Sequence, residues 1–296
     1  MLIWRMVIGV PVVLLLIGLC ILDNLFCIKG IVLLPLFGVC LFFLCKEFLD
    51  LLHAGGLYPR RFTVYGGTLL MTVSCWVICV GHDYMVCLDS AGHAATHWEW
   101  AAGRASMGMV LVFASGILVA FAGEMWRYKR PGGVTINLAG AVFAMAYLGL
   151  LACFLVLLRM VYGIGELLSY VMIVKMNDIG AYTVGRLLGR HKMAPELSPK
   201  KTIEGGLGGL AFALFGSWFS LTILMSRHTD FIEWFSYGIA VALAGALGDL
   251  AGSLIKRDVQ IKDSGTLVPG FGGFLDIFDS LLIAAPVAFF WWTLVL

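Results

Sequence analysis

Long apolar runs are the feature that most limits what this chain can fold into. A helix needs roughly 20 residues to cross about 30 Å of hydrocarbon, and about nine runs approach that length. Only 13% of the residues are charged, whereas a soluble protein carries about 25%. We therefore predict an all-α, polytopic membrane protein, and exclude a soluble enzyme, a disordered chain and a nucleic-acid-binding protein. The predicted spans are about residues 6–22, 31–45, 64–80, 105–122, 134–158, 160–184, 206–225, 231–255 and 274–296.

The positively charged residues indicate an orientation for these spans. If the amino terminus is cytoplasmic, most of the 20 Lys and Arg residues fall in the inner segments and few in the outer ones. The positive-inside rule expects this asymmetry. We therefore predict a multi-pass protein of the inner (cytoplasmic) cell membrane, embedded in the lipid bilayer, with its amino terminus on the cytoplasmic side.

Four carboxylates within the predicted spans lie at one depth, near the cytoplasmic ends of three helices. Ionisable groups cost a few kcal/mol each inside a bilayer and are therefore functional candidates. Carboxylate oxygens that converge at one level suit a hard cation such as Mg²⁺. The alternative is that each acid only pairs with a nearby cation. Such pairs would be Asp178 with Lys175 and Asp249 with Lys256; the other two acids are Asp276 and Asp279.

Positively charged residues adjoin these acids in two inner loops. Lys200 and Lys201 directly precede a Gly-rich helix opening, and Lys256, Arg257 and Lys262 belong to the other loop. Lysines and backbone N–H groups at a helix start bind anions. Carboxylates for a metal, combined with cations for phosphates, are typical of phosphoryl-transfer sites. The alternative is that these lysines only set the topology or contact anionic lipid head groups.

The carboxyl-terminal half resembles the signature of the CDP-diglyceride synthase family, the phosphatidate cytidylyltransferases. Segments 253–265 (SLIKRDVQIKDSG) and 269–279 (PGFGGFLDIFD) are similar to the pattern S-x-x-K-R-x4-K-D-x-G followed by P-x-H-G-G-x-x-D-R-x-D. Segments 177–186 (NDIGAYTVGR) and 198–205 (SPKKTIEG) resemble two further blocks of that family, so that the resemblance covers about residues 175–285. Two departures are Phe271 in place of His and Ile277 in place of Arg.

The resemblance implies a nucleotidyltransferase with a cytidylyltransferase-type helical bundle. It would convert CTP and phosphatidic acid to CDP-diacylglycerol and pyrophosphate in phospholipid biosynthesis, with Mg²⁺ as cofactor and with homodimer formation left open. Residues 1–160 would then form about five membrane helices, and residues 161–296 the catalytic membrane region on the cytoplasmic side. Two alternatives remain: an ion-coupled transporter with buried acids, and a CTP-dependent enzyme acting on another lipid, such as a polyprenol kinase or an ether-lipid CDP synthase.

The residues that match the family pattern receive their roles from this resemblance. The predicted catalytic residues are Asp249, Asp276, Asp279, Lys256 and Lys262. The predicted metal ligands are Asp249, Asp276 and Asp279, with Asp178 as an additional ligand. The predicted substrate-binding residues are Ser198, Lys200, Lys201, Ser253, Arg257, Asp263, Gly272 and Gly273.

Overall fold

The fold is helical over nearly all of the chain that the computed structural model describes, which confirms the all-α prediction. The model describes residues 18–26, 28–88, 97–129, 131–262, 264–265 and 272–295, with the backbone alone at 82–88 and 97–102. After a helical stretch at 18–25, the helices are α1 (Leu33–Ala54), α2 (Arg61–Leu88), α3 (His97–Arg127), α4 (Val134–Tyr162), α5 (Ile164–Leu188), α6 (Ile203–Leu224), α7 (Phe231–Asp258) and α8 (Leu275–Val295).

Among the described residues, six helices are long and apolar enough to cross a membrane: α2, α3, α4, α6, α7 and α8. The chain is therefore a multi-pass membrane protein, but the predicted count of about nine spans is not confirmed. The first predicted span, 6–22, lies mostly outside the described residues. The second and sixth correspond to α1 and α5, which contain several charged side chains. These are Lys46, Glu47 and Asp50 in α1, and Glu166, Lys175, Asp178 and Arg186 in α5.

The chain divides into two compact units. Unit 1 comprises residues 1–161 and 263–275, and unit 2 comprises residues 162–262 and 276–296. The predicted division at residue 160 separates amino-terminal membrane helices from a catalytic region, and this assignment of roles remains a prediction.

Unit 1 has an apolar core between α1, α2 and α4. The ring of Phe48 on α1 stacks on that of Tyr147 on α4, with centroids 5.4 Å apart. Gly149 allows α4 to approach α2 closely, because a Cβ there would lie 3.1 Å from the Cα atom of Thr68. Small residues commonly permit such close helix packing in membrane proteins. The same unit buries an ion pair between Asp23 and Arg159, 2.7 Å apart.

Unit 2 contains α5, α6, α7, the residues of α8 from Asp276 onward, and a short β-hairpin that was not predicted from the sequence. Its strands, β1 (Lys192–Ala194) and β2 (Ser198–Thr202), are antiparallel and pair Lys192 with Thr202. The hairpin leads directly into α6, whose first turn is capped by Thr202: its Oγ1 accepts a hydrogen bond from the Gly205 N–H at 3.2 Å. Such a cap satisfies one of the backbone donors that a helix start leaves unpaired. The hairpin thus fixes the chain ahead of α6.

Glycines bring α5 and α6 of unit 2 into close contact. A Cβ on Gly180 of α5 would lie 2.6 Å from the carbonyl oxygen of Gly208 on α6. A Cβ on Gly209 would lie 2.7 Å from the side-chain oxygen of Asn177. Close packing is a common use of small residues in membrane helices, and this pairing sets the position of Asp178, the residue after Asn177.

Candidate functional site

The four predicted carboxylates all lie in unit 2, on three helices. Asp178 is on α5, Asp249 is on α7, and Asp276 and Asp279 are on α8. Asp249 lies within electrostatic range of both Asp178 and Asp279. Asp276 joins them through Lys256, which pairs with Asp276 and also lies within electrostatic range of Asp279. We call these acids from three helices the acid cluster: Asp178, Asp249, Asp276 and Asp279.

Lysines pair with three of the four acids. Lys201 on β2 lies 2.8 Å from Asp249, and Lys175 lies 3.0 Å from Asp178. Lys256 on α7 forms an ion pair with Asp276, in which both side chains are largely buried. The simple pairing considered from sequence therefore occurs for Asp178, whereas Asp249 pairs with Lys201, since Lys256 is engaged by Asp276.

Asp279 is the most buried member of the acid cluster, with 3% of its surface exposed. Its Oδ1 accepts a hydrogen bond from the Ser280 N–H at 2.6 Å. Two glycines one turn apart on α7 make room for it. A Cβ on Gly252 would lie 2.6 Å from the Asp279 Oδ2, and one on Gly248 would lie 2.6 Å from the Asp279 carbonyl oxygen. The glycines beside Asp249 thus allow α8 to place Asp279 against α7.

The donor chemistry of the acid cluster fits Mg²⁺, since its ligands would all be carboxylate oxygens. Within the described residues, however, no group of three acidic, His or Cys side chains is close enough to hold a metal ion. Three of the acids are instead neutralised by lysines. A bound cation would have to replace these lysines, so the assignment of metal ligands remains a prediction.

The predicted phosphate-binding residues lie in several environments. Lys200 and Lys262 are exposed, while Ser198 and Ser253 are half-buried. Arg257 links the end of α7 to the turn of the hairpin, because its Nε donates to the Leu197 carbonyl at 3.2 Å. Asp263, a predicted substrate-binding residue, and Phe271, which departs from the family pattern, lie outside the described residues.

The two predicted loop glycines belong to unit 1, where they adopt conformations that a larger residue would disturb. Gly272 has φ +94°, a left-handed conformation that L-residues rarely adopt. A Cβ on Gly273 would collide with the Ser264 hydroxyl and the Glu47 carboxylate. Packing and backbone conformation are therefore sufficient to explain glycine at both positions. Their contact with substrate remains a prediction.

Two charged residues were not predicted from the sequence to belong to a site. Glu47 on α1 is buried and accepts hydrogen bonds from Ser264, Phe274 and Leu275. Lys175 was seen only as a partner of Asp178, yet its Nζ also donates to the Ile277 carbonyl at 3.1 Å. The available signal was the same for both: a charged residue within or directly beyond an apolar run.

Comparisons with known proteins place this chain beside cytidylyltransferases. A model of the cytidylyltransferase family matches residues 10–295. A phosphatidate cytidylyltransferase of Staphylococcus saprophyticus is 37% identical over 156 residues, which cover 51% of this chain and 58% of that relative. The phosphatidate cytidylyltransferase of Staphylococcus haemolyticus is 41% identical over 129 residues, which cover 42% of this chain and 48% of that relative. An uncharacterized Escherichia coli protein, YnbB, is 41% identical over 114 residues, 38% of each chain.

Proposed function

This chain belongs to the cytidylyltransferase family, and we propose that it is a membrane-embedded phosphatidate cytidylyltransferase. It would convert CTP and phosphatidic acid to CDP-diacylglycerol and pyrophosphate. The observation that carries the proposal is the acid cluster of unit 2, in which lysines lie directly beside carboxylates. The relatives named as phosphatidate cytidylyltransferases support the choice of substrates, although the matched segment spans little more than half of their length.

The reaction asks for positioning and charge neutralisation rather than for a covalent intermediate. The phosphate oxygen of phosphatidic acid, already ionised at neutral pH, attacks the α-phosphorus of CTP. A new P–O bond forms, and the bond to the β-phosphate oxygen breaks to release pyrophosphate. The protein has to hold two anionic groups together and neutralise the charge that shifts onto the leaving group. No general base is required.

The lysines of the acid cluster suit that task. Lys201 and Lys256 are each held by a carboxylate, with 22% and 10% of their side chains exposed. An arriving phosphate offers such an ammonium group an alternative anionic partner. Lys200, Arg257 and Lys262, which are more exposed, would attract CTP, and Ser198 and Ser253 would add hydrogen bonds. Binding of the nucleotide would thereby release carboxylates for a metal.

Mg²⁺ belongs to this proposal as the cofactor. Asp249, Asp276 and Asp279 would hold it, with Asp178 as an additional ligand, because hard carboxylate oxygens suit this ion. When bound, the ion would neutralise charge on phosphate oxygens. Turnover should therefore stop when EDTA removes divalent cations and return when Mg²⁺ is added.

The proposed location is the inner membrane, with the acid cluster on the cytoplasmic side. Most of the cations lie in the segments predicted to be cytoplasmic, and CTP is supplied from the cytoplasm. Phosphatidic acid would enter from the bilayer with its acyl chains remaining in the hydrocarbon.

An assay with labelled CTP and a panel of lipids tests the proposal. Purified protein receives Mg²⁺ and either phosphatidic acid, a polyprenol or an ether lipid, in parallel reactions with CTP labelled in the cytidine and with CTP labelled at the γ-phosphate. We expect label in a CDP-lipid with phosphatidic acid. Transfer of the γ-phosphate to a lipid would overturn the proposal in favour of a kinase. Absence of lipid-dependent turnover with every lipid would overturn it in favour of a transporter or an inactive relative.

A further inference from the structure

Glu47 is a buried carboxylate of unit 1 whose hydrogen bonds all reach a distant part of the sequence. Only 2% of its surface is exposed. Its Oε2 accepts from the Ser264 hydroxyl at 3.1 Å and from the Leu275 N–H at 2.9 Å. Its Oε1 accepts from the Phe274 N–H at 3.0 Å. One side chain on α1 thus engages three donors within the segment 264–275.

Two of these donors are the backbone N–H groups at the start of α8. The first N–H groups of a helix have no partner within the helix, and a carboxylate there also interacts favourably with the helix dipole. The Phe274 ring adds an apolar contact to the same helix as Glu47, because it stacks on Phe43 with centroids 5.3 Å apart. Phe274 and Leu275, the unit 1 residues at which α8 begins, are therefore fixed to α1 by charge and by packing.

The chain is also shaped to fit this carboxylate. A Cβ on Gly265 would lie 2.5 Å from the Glu47 Oε1, and one on Gly273 would collide with Oε2. Each glycine lies against a different oxygen of the carboxylate. A side chain at either position would therefore displace the Glu47 carboxylate. A charge buried in this way is costly unless all of its hydrogen bonds are made, and here at least three donors are supplied.

We propose that Glu47 is a positioning residue for the transfer reaction. By holding the Phe274 and Leu275 N–H groups, it fixes where α8 begins, and Asp276 is the next residue of that helix. It also holds the Ser264 hydroxyl, which lies beside Gly273. This inference rests on the proposed function for its catalytic consequence, whereas the structural step, that Glu47 fixes the start of α8, does not depend on it.

Hydrogen exchange measured by mass spectrometry tests the structural step on the full chain in lipid nanodiscs. In Glu47→Gln, an amide nitrogen replaces one acceptor, so that a backbone N–H at 274 or 275 loses its partner. We expect exchange of at least one of these two amides to accelerate by at least about tenfold. The matched control is Glu124→Gln, since Glu124 is also buried in unit 1 but pairs with Arg127 on its own helix. Unchanged exchange at 274 and 275 in Glu47→Gln would overturn the inference.

Kinetics of the same variants test the catalytic step. Because small displacements of reacting groups can cost about 10²-fold, we expect Glu47→Ala to lower kcat per folded molecule by about that factor, and Glu47→Gln by less. The KM for CTP should change much less than kcat, since Glu47 is not assigned a contact with CTP, and Glu47→Asp should recover part of kcat. A kcat equal to wild type in folded Glu47→Ala would overturn the positioning role. An inactive wild type would instead count against the proposed function, and the exchange result would still decide whether Glu47 fixes α8.

Discussion

The more exposed acids of the acid cluster in unit 2 and the buried acids Asp23 and Glu47 of unit 1 have partners of different kinds. In unit 1, Asp23 is fully buried, pairs with Arg159 at 2.7 Å, and accepts the N–H groups of Gly30 at 3.1 Å and Val32 at 3.0 Å. Glu47 likewise uses backbone donors. In unit 2, the side chains of Asp178 and Asp249 are 38% and 42% exposed, and their ion-pair partners are lysines.

This difference separates charges that hold the fold from charges that are available for chemistry. Backbone N–H groups and a buried guanidinium have fixed positions, so that their carboxylates have no alternative partner. A lysine ammonium is a point charge on a flexible stem and can exchange one anion for another. We therefore expect loss of the Asp23–Arg159 pair to reduce stability, and substitutions in the acid cluster to reduce turnover. Glu47 differs from Asp23 in that it holds the residues at which α8 begins, so that its loss should also lower turnover.

The largest expected effect is that of Asp279→Asn. Loss of an essential catalytic group costs roughly 10⁴-fold in kcat, and we expect a loss of that order in CDP-lipid formation, with membrane insertion retained. Asp276→Asn should behave in the same way. Asp258→Asn, at the exposed end of α7, is the matched control and should remain active. Turnover close to that of wild type in Asp279→Asn would refute the metal assignment.

The next effect concerns the buried ion pair of unit 1. Asp23→Ala leaves the Arg159 guanidinium buried without its carboxylate, which should lower the free energy of unfolding by about 3–5 kcal/mol. Thermal denaturation in detergent measures this change, and kcat per folded molecule should be retained. Asp178→Asn removes a half-exposed pair of unit 2 and should cost less than about 1 kcal/mol. Equal losses of stability in both variants would contradict the comparison.

A smaller loss of stability and turnover is expected when the contact between α7 and α8 is crowded. Gly252→Ala places a Cβ against the Asp279 carboxylate, and overpacking of this kind costs about 1–3 kcal/mol. Turnover should fall as well, because Asp279 has to move. Gly206→Ala is the control on α6, where the nearest atom would be the Met193 sulfur at 3.7 Å. If both variants behave alike in denaturation and turnover, the close approach of α7 and α8 has no consequence.

The smallest change in stability is expected for Lys201→Ala. Its ion pair with Asp249 is partly exposed, so that its loss should cost less than about 1 kcal/mol. The KM for CTP should rise by about tenfold, the equivalent of one charge-assisted hydrogen bond. Lys192→Ala, on the neighbouring strand and exposed, should change neither quantity. An unaltered KM in Lys201→Ala would remove this lysine from the phosphate site.

Much of the helical fold could be predicted from apolar runs, because a run of the right length has few alternatives in a bilayer. The predicted spans 206–225, 231–255 and 274–296 correspond to Ile203–Leu224, Phe231–Asp258 and Leu275–Val295. The hairpin was missed, since Ser198-Pro-Lys-Lys-Thr202 contains a proline and no apolar alternation, and therefore suggested a loop rather than a strand.

The pairing within the acid cluster could not be predicted, because sequence spacing shows only partners on the same helix. It suggested Asp249 for Lys256, whereas the partner is Asp276 on the next helix. Glu47 is further from its partners still: Ser264 and Leu275 are 217 and 228 residues away. Such contacts depend on how the helices pack, which an apolar pattern leaves open.

The most direct test of the account follows the α-phosphate of CTP in three forms of the protein. Wild type, Asp279→Asn and Asp23→Ala are given Mg²⁺, phosphatidic acid and CTP labelled at the α-phosphate, and turnover is normalised to folded protein. We expect label in CDP-diacylglycerol with wild type and with Asp23→Ala, and almost none with Asp279→Asn. Equal labelling by Asp279→Asn and wild type, or an inactive folded Asp23→Ala, would contradict the division between structural and catalytic carboxylates.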